Sequence, residues 1–167
     1  MRRRKSSKVT TSHMNKRGIR MLYKKILIPT DNSEVSIEAA RHGLEIARLM
    51  NSKVYVIYVV DIMPFVGLPT EGFWETMREV LEEEGREAFK KIEKMAKEIG
   101  VDITTEILEG SPAREIVEYA ERKGIDLIVM GTSGKSGIDR LLLGSVAEKV
   151  SRKAQCPVLL VKMRKKK

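Results

Sequence analysis

A single cysteine and two histidines in 167 residues set the first limits on what this chain does. One cysteine excludes an internal disulfide framework and fits a reducing compartment. Cys156 precedes Pro157 and an apolar run, has no nearby histidine to activate it, and is read as a packing residue. His13 lies in the N-terminal tail and His42 within Ala40-Arg41-His42-Gly43, so no His/Cys metal cluster can form and neither residue is well placed as a general base. No apolar run approaches the roughly 20 residues of a membrane-spanning helix. The first residues also lack the apolar stretch of a secretory signal. A soluble, cytoplasmic protein with no membrane partner is expected.

Acidic residues are missing from residues 1–20, which carry +8 of the formal net charge of +9. Residues 162–167 add +5, so the body between them sums to −4. The chain is therefore a mildly acidic domain with basic tails, and that balance argues against nucleic acid as the main partner. Blocks of one sign usually remain solvated, so residues 1–20 are expected to be a disordered tail, with a contact to nucleic acid or anionic lipid as the other reading. Met14 or Met21 would serve as an alternative initiator. One domain is expected over residues 21–162, followed by a short basic tail at 163–167.

Along that domain, short β-branched runs alternate with segments of helical period. Strands are expected at Lys25–Pro29, Lys53–Val60, Asp102–Leu108, Asp126–Met130 and Pro157–Val161. Four of them are almost continuously apolar, as parallel strands covered on both faces should be. The third alternates, which suits an edge. Helices are expected after Ser33, through Leu81, Ala88, Ile92, Met95 and Ile99, from Ser111-Pro112 to Gly124, and from Gly144-Ser145 to about Ala154. Ser145-Val146-Ala147-Glu148 has the form of a capping box. The order βαβαβαβαβ gives an α/β, Rossmann-like, three-layer sandwich around a five-stranded parallel sheet. Residues 61–74 are read as a loop at the ligand edge, with Phe65, Phe73 and Trp74 either covering a base or packing locally.

The chemistry concentrates between Gly131 and Ser145. Glycines there let bare N–H groups approach an anion, and a helix start adds unpaired donors and the positive end of the peptide dipoles. Gly134-Lys135-Ser136 ends like a P-loop, but the first glycine that motif requires would fall at Val129. A dinucleotide fingerprint fails too, because the first turn reads Pro29-Thr30-Asp31-Asn32-Ser33.

The remaining pattern is Gly131-x-x-Gly134, nine residues, then Gly144-Ser145, behind an ILIPTD strand and ahead of CPVLLVK. Over residues 23–162 this resembles the universal stress protein family, in its ATP-binding branch. The resemblance implies an adenine nucleotide alpha hydrolase-like sheet of order 3-2-1-4-5. It also implies a nucleotide site at Pro29, Thr30, Asp31, Val59, Met130, Gly131, Thr132, Gly134, Gly144, Ser145, Val146 and Ala147. Within it, Asp31 would lie near the adenosine, the Val59 backbone would meet the adenine, and the Gly144-Ser145-Val146 helix start would hold phosphates. Lys135 and Arg140 are further phosphate candidates. Position 133, sometimes histidine in relatives, is Ser133.

The implied ligand is ATP, with ADP or AMP as alternatives, and with Mg²⁺ or Mn²⁺ held through phosphates and water. Phosphoryl transfer also needs a group that orients the nucleophile, and the motif supplies only a cradle. The expected function is thus a nucleotide-dependent stress-response regulator with slow turnover or none. The alternative is a nucleotide-independent scaffold that recruits a protein partner. The resemblance further implies a homodimer through the last strand, Pro157–Val161, which would cover an exposed edge.

Overall fold

A computed structural model describes residues 22–61, 71–133 and 143–163, the side chains of residues 71 and 73 excepted. Its elements run β1 (Lys25–Thr30), α1 (Glu34–Met50), β2 (Lys53–Val60), α2 (Glu71–Glu98), β3 (Ile103–Glu109), α3 (Pro112–Lys123), β4 (Leu127–Gly131), α4 (Ser145–Lys153) and β5 (Val158–Val161). The five strands form one sheet of order 3-2-1-4-5 with every neighbouring pair parallel. All five expected strands are present, shifted by one residue at most at each end.

Strand alternation sorts the core onto two faces. Ile26, Ile28, Val54, Val56 and Val129 pack with Ala40 and Leu44 of α1 and with Phe89 and Ile92 of α2. Leu27, Ile57, Ile128 and Met130 point the other way, to Ile116 and Tyr119 of α3 and Val150 of α4. The result is a sheet between two helical layers. β3 is the edge its alternating sequence indicates, and only its inner neighbour β2 pairs with it.

Helix ends follow their local chemistry, with three departures from expectation. Ser33 caps α1 by accepting from the Ser36 N–H, and Gly124 ends α3 in the left-handed region at φ 62°. Ser111 holds the N-cap position of α3 as expected, but its side chain makes no capping bond. The capping-box reading of α4 is corrected. Gly144 is the cap, at φ −62° and ψ 149°, and Ser145 is the first helical residue. Glu148 then sits one position too late to reach back, and it faces Arg152 at 3.6 Å instead.

The loop reading of residues 61–74 is also corrected, since α2 begins at Glu71. Trp74 lies seven residues before Leu81, fourteen before Ala88 and twenty-one before Met95, so it extends the apolar stripe that buries α2. It packs on the first core cluster and is not among the residues lining the cleft at the carboxyl edge of the sheet. Phe65 and the rest of that loop's middle, residues 62–70, fall outside the described residues.

Candidate functional site

In a doubly wound parallel sheet, neighbouring crossovers leave in opposite directions at one point, and the strand ends there open a crevice. Here that point lies between β1 and β4. A cleft of about 480 Å³ occupies it, bounded by the carboxyl ends of β1, β2 and β4 and by the starts of α3 and α4. It gathers Pro29, Thr30, Asp31, Val59, Met130, Gly131, Gly144, Ser145, Val146 and Ala147, ten of the twelve residues expected from the sequence. Thr132 is not on its surface. Its N–H donates to the Val161 carbonyl (2.9 Å), and its carbonyl accepts from the Gly144 N–H (2.7 Å), so it ties β4 to β5 and to the α4 entrance. Gly134, Lys135 and Arg140 lie outside the described residues.

The cleft has two chemically different ends. At α4 the first intrahelical bond runs from the Glu148 N–H to the Gly144 carbonyl (2.9 Å). The N–H groups of Ser145, Val146 and Ala147 precede that bond, and all three residues line the cleft. Donors and helix dipole therefore face the same space. Because Gly144 takes the capping position, the exposed Ser145 hydroxyl is not used to cap its own helix.

Opposite stand Asp31, just after β1, and Asp61, just after β2. Asp31 Oδ1 accepts from the Ser33 N–H at 3.1 Å and from the Ser33 hydroxyl at 2.6 Å. Asp31 does not cap α1, since Ser33 does. Between the two ends the walls are apolar, formed by Pro29, Ile57, Val59, Ile116 and Met130.

Also lining the cleft, Tyr58 is buried and its hydroxyl donates to Glu84 Oε2 of α2 at 3.1 Å. Burial foremost, and then the Glu84 charge, push its phenol well above the ordinary range. The helix closes tightly on this ring. A Cβ on Gly85 would stand 2.9 Å from the ring carbons of Tyr58.

Gly131 is expected to leave room for an anion, and the structure gives it a packing task as well. A side chain there would collide with Val35 Cγ1 of α1 and stand 3.3 Å from the Ser133 carbonyl. The glycine is what lets α1 seat against the end of β4.

Several cleft residues escaped the sequence reading, namely Ser36, Tyr58, Leu81, Pro112 and Ile116, while Asp61 and Ser133 were placed at the ligand edge without a stated role. A signal existed for some. Every helix that follows a strand in this order starts at the carboxyl edge, so Pro112 and Ile116 belong there as Ser145 does. Asp61 is the first residue past β2. Away from the cleft, His42 is half exposed on α1 and faces Glu38 at 3.7 Å. Cys156 packs on the second core cluster, where burial pushes its thiol up, away from a reactive thiolate. Among the described residues no helix is long and apolar enough to cross a membrane.

The sequence profile of the universal stress protein family matches residues 22–162. The universal stress protein MJ0531 of Methanocaldococcus jannaschii is 64% identical over 145 residues, covering 87% of this chain and 85% of that protein. The universal stress protein MJ0577 of the same organism is 35% identical over 156 residues, covering 85% of this chain and 96% of that protein. The solved structure of MJ0577 aligns with a TM-score of 0.77 at 36% identity, over 87% of this chain and 99% of that one. A crystal structure of a universal stress protein in complex with cAMP aligns with a TM-score of 0.62 at 28% identity, over 84% of this chain and 98% of that one.

Proposed function

The chain belongs to the universal stress protein family, and from that premise we propose that it is a cytoplasmic regulator whose cleft binds an adenine nucleotide, ATP foremost, with slow hydrolysis or none. The observation that carries the reading is the convergence of ten expected residues, from three strands and a helix start, on one cleft of ligand size. The fit is chemical as well as spatial. The apolar walls suit a base, Asp31 and Asp61 suit hydrogen-bond donors on the base or sugar, and the first turn of α4 suits phosphates. The relative solved in complex with cAMP supports an adenine nucleotide as the ligand class.

A divalent ion, Mg²⁺ or Mn²⁺, would be held by the phosphates and water and would neutralise charge between them. The residues of this chain bind and orient. The cleft supplies a cradle, and His42 sits on the far side of α1 against Glu38, so turnover is not what the site is built for. Nucleotide occupancy then changes the surface around the cleft, and a protein partner reads that change. The molecule acts as a homodimer joined through β5, whose outer edge has no neighbouring strand among the described residues.

The test compares wild type with Ser145→Asp. A carboxylate at the first position of a helix suits its dipole, so the fold should hold. Placed beside a phosphate, the same charge should weaken ATP binding about tenfold or more. Calorimetric titration should show that loss for ATP, a smaller one for AMP and none for adenosine. Wild-type protein that releases no nucleotide on denaturation and gives no heat with any of these ligands would overturn the reading.

A further inference from the structure

The hydroxyl groups beneath the cleft form an ordered chain, and their hydrogen-bond roles can be assigned in sequence. Ser33 Oγ donates to Asp31 Oδ1 (2.6 Å) and accepts the Ser36 N–H (3.2 Å). Ser36 Oγ donates to the Ser33 carbonyl (2.9 Å), so its contact with Thr30 Oγ1 (3.0 Å) must be one in which Thr30 donates. Thr30 Oγ1 in turn accepts the Asn32 N–H (3.2 Å). Thr30 and Ser36 are both buried. Asn32 completes the turn in the left-handed region, at φ 63°.

Two jobs meet on one side chain. Ser33 Oγ starts α1 as its N-cap, and with the Ser33 N–H it holds one oxygen of the Asp31 carboxylate. Asp31 lines the cleft whereas Ser33 does not. From this geometry we infer that Ser33 is a positioning residue for nucleotide binding: without touching the ligand, it fixes the carboxylate that receives the nucleoside. The inference deepens the nucleotide reading and rests on it. A short, two-donor bond to a carboxylate is the stronger kind of hydrogen bond, and it removes the rotation that Asp31 would otherwise lose on binding ligand. The helix cap thus preorganises the site.

The obvious variant, Ser33→Ala, removes cap and donor together and confuses the two. Ser33→Gly separates them, because glycine is itself an acceptable N-cap but has no hydroxyl. Ser33→Thr restores both. Expected outcomes by calorimetry with ATP and adenosine are near-wild-type affinity for Ser33→Thr and a loss of about three- to tenfold for Ser33→Gly, with its thermal midpoint close to wild type. The deciding measurement is a double-mutant cycle with Asp31→Ala. If Ser33 works through Asp31, then Ser33→Gly costs no further affinity once Asp31 is gone. Independent, additive losses, or wild-type affinity in Ser33→Gly, would overturn the positioning role while leaving nucleotide binding intact. Absence of binding in wild type would instead remove the nucleotide reading and this inference with it.

Discussion

Gly131 has no room for a methyl group, because Val35 of α1 already fills the place where one would go. Overpacking of this kind costs about 1–3 kcal/mol, so Gly131→Ala should lower the thermal midpoint whether or not nucleotide is present. Val35→Ala removes the colliding carbon. The double variant should therefore cost less than the two single losses added together, a coupling readable by thermal denaturation. Equal, additive losses would show that α1 and β4 do not meet here. At this scale the sequence indicated the glycine but not its contact with Val35, since a spacing motif records which residue is required and not which neighbour requires it. Ser145 went the other way. Its capping box suggested a structural hydroxyl, and the backbone of Gly144 took that position instead.

Among the elements, α2 packs on the sheet through Phe89 and Ile92 and also through a tight seam, with Gly85 against the Tyr58 ring and Glu84 accepting the Tyr58 hydroxyl. The raised pKa of Tyr58 makes this seam sensitive to alkali. An ordinary tyrosine ionises near about 10, so above that pH the unfolded chain loses a proton that the folded chain keeps. Stability from Tyr58 is therefore present below that value and falls as pH rises toward the folded pKa. Urea unfolding should find Tyr58→Phe less stable than wild type at neutral pH by about 1.5–3 kcal/mol, the range for hydrogen bonds to charged groups. The gap should narrow above pH ~10, because the variant has no phenol to titrate there. A constant gap across the range would exclude the coupling.

The elements were also what the sequence showed most clearly. Continuous apolar runs marked the covered strands, and the alternation of Ile103, Thr105 and Ile107 marked an edge. The start of α2 was hidden because Pro64, Gly67, Pro69 and Gly72 crowd the approach, while the stripe that decides the matter needs Trp74 read at sevenfold spacing from Leu81. The cleft was legible where it follows one chain segment. It was obscure at Ser36, Tyr58, Leu81 and Ile116, which reach it by tertiary packing from helices and strands whose own patterns only report burial.

For the whole molecule, the two sheet edges differ. β3 carries Glu106 and Glu109, whereas β5 reads Val158-Leu159-Leu160-Val161 with Leu159 37% exposed. An apolar edge with no further strand among the described residues invites pairing, and charge discourages it. Sedimentation at micromolar concentration should give a dimer for wild type and a monomer for Leu159→Lys, with the fold of each subunit unchanged. A wild-type monomer would remove the two-fold assembly.

The contact of Gly131 with Val35 reaches beyond this one chain. A lineage that gave up its nucleotide could replace that glycine only by also shrinking residue 35, because the helix packed against it would not otherwise fit. Its survival in a descendant would therefore be no proof that the site is still used. Among the described residues Ser145 is held by no such constraint: it is exposed and makes no capping bond. Drift at that serine, more than loss of the glycine, is where a change of trade would first be written.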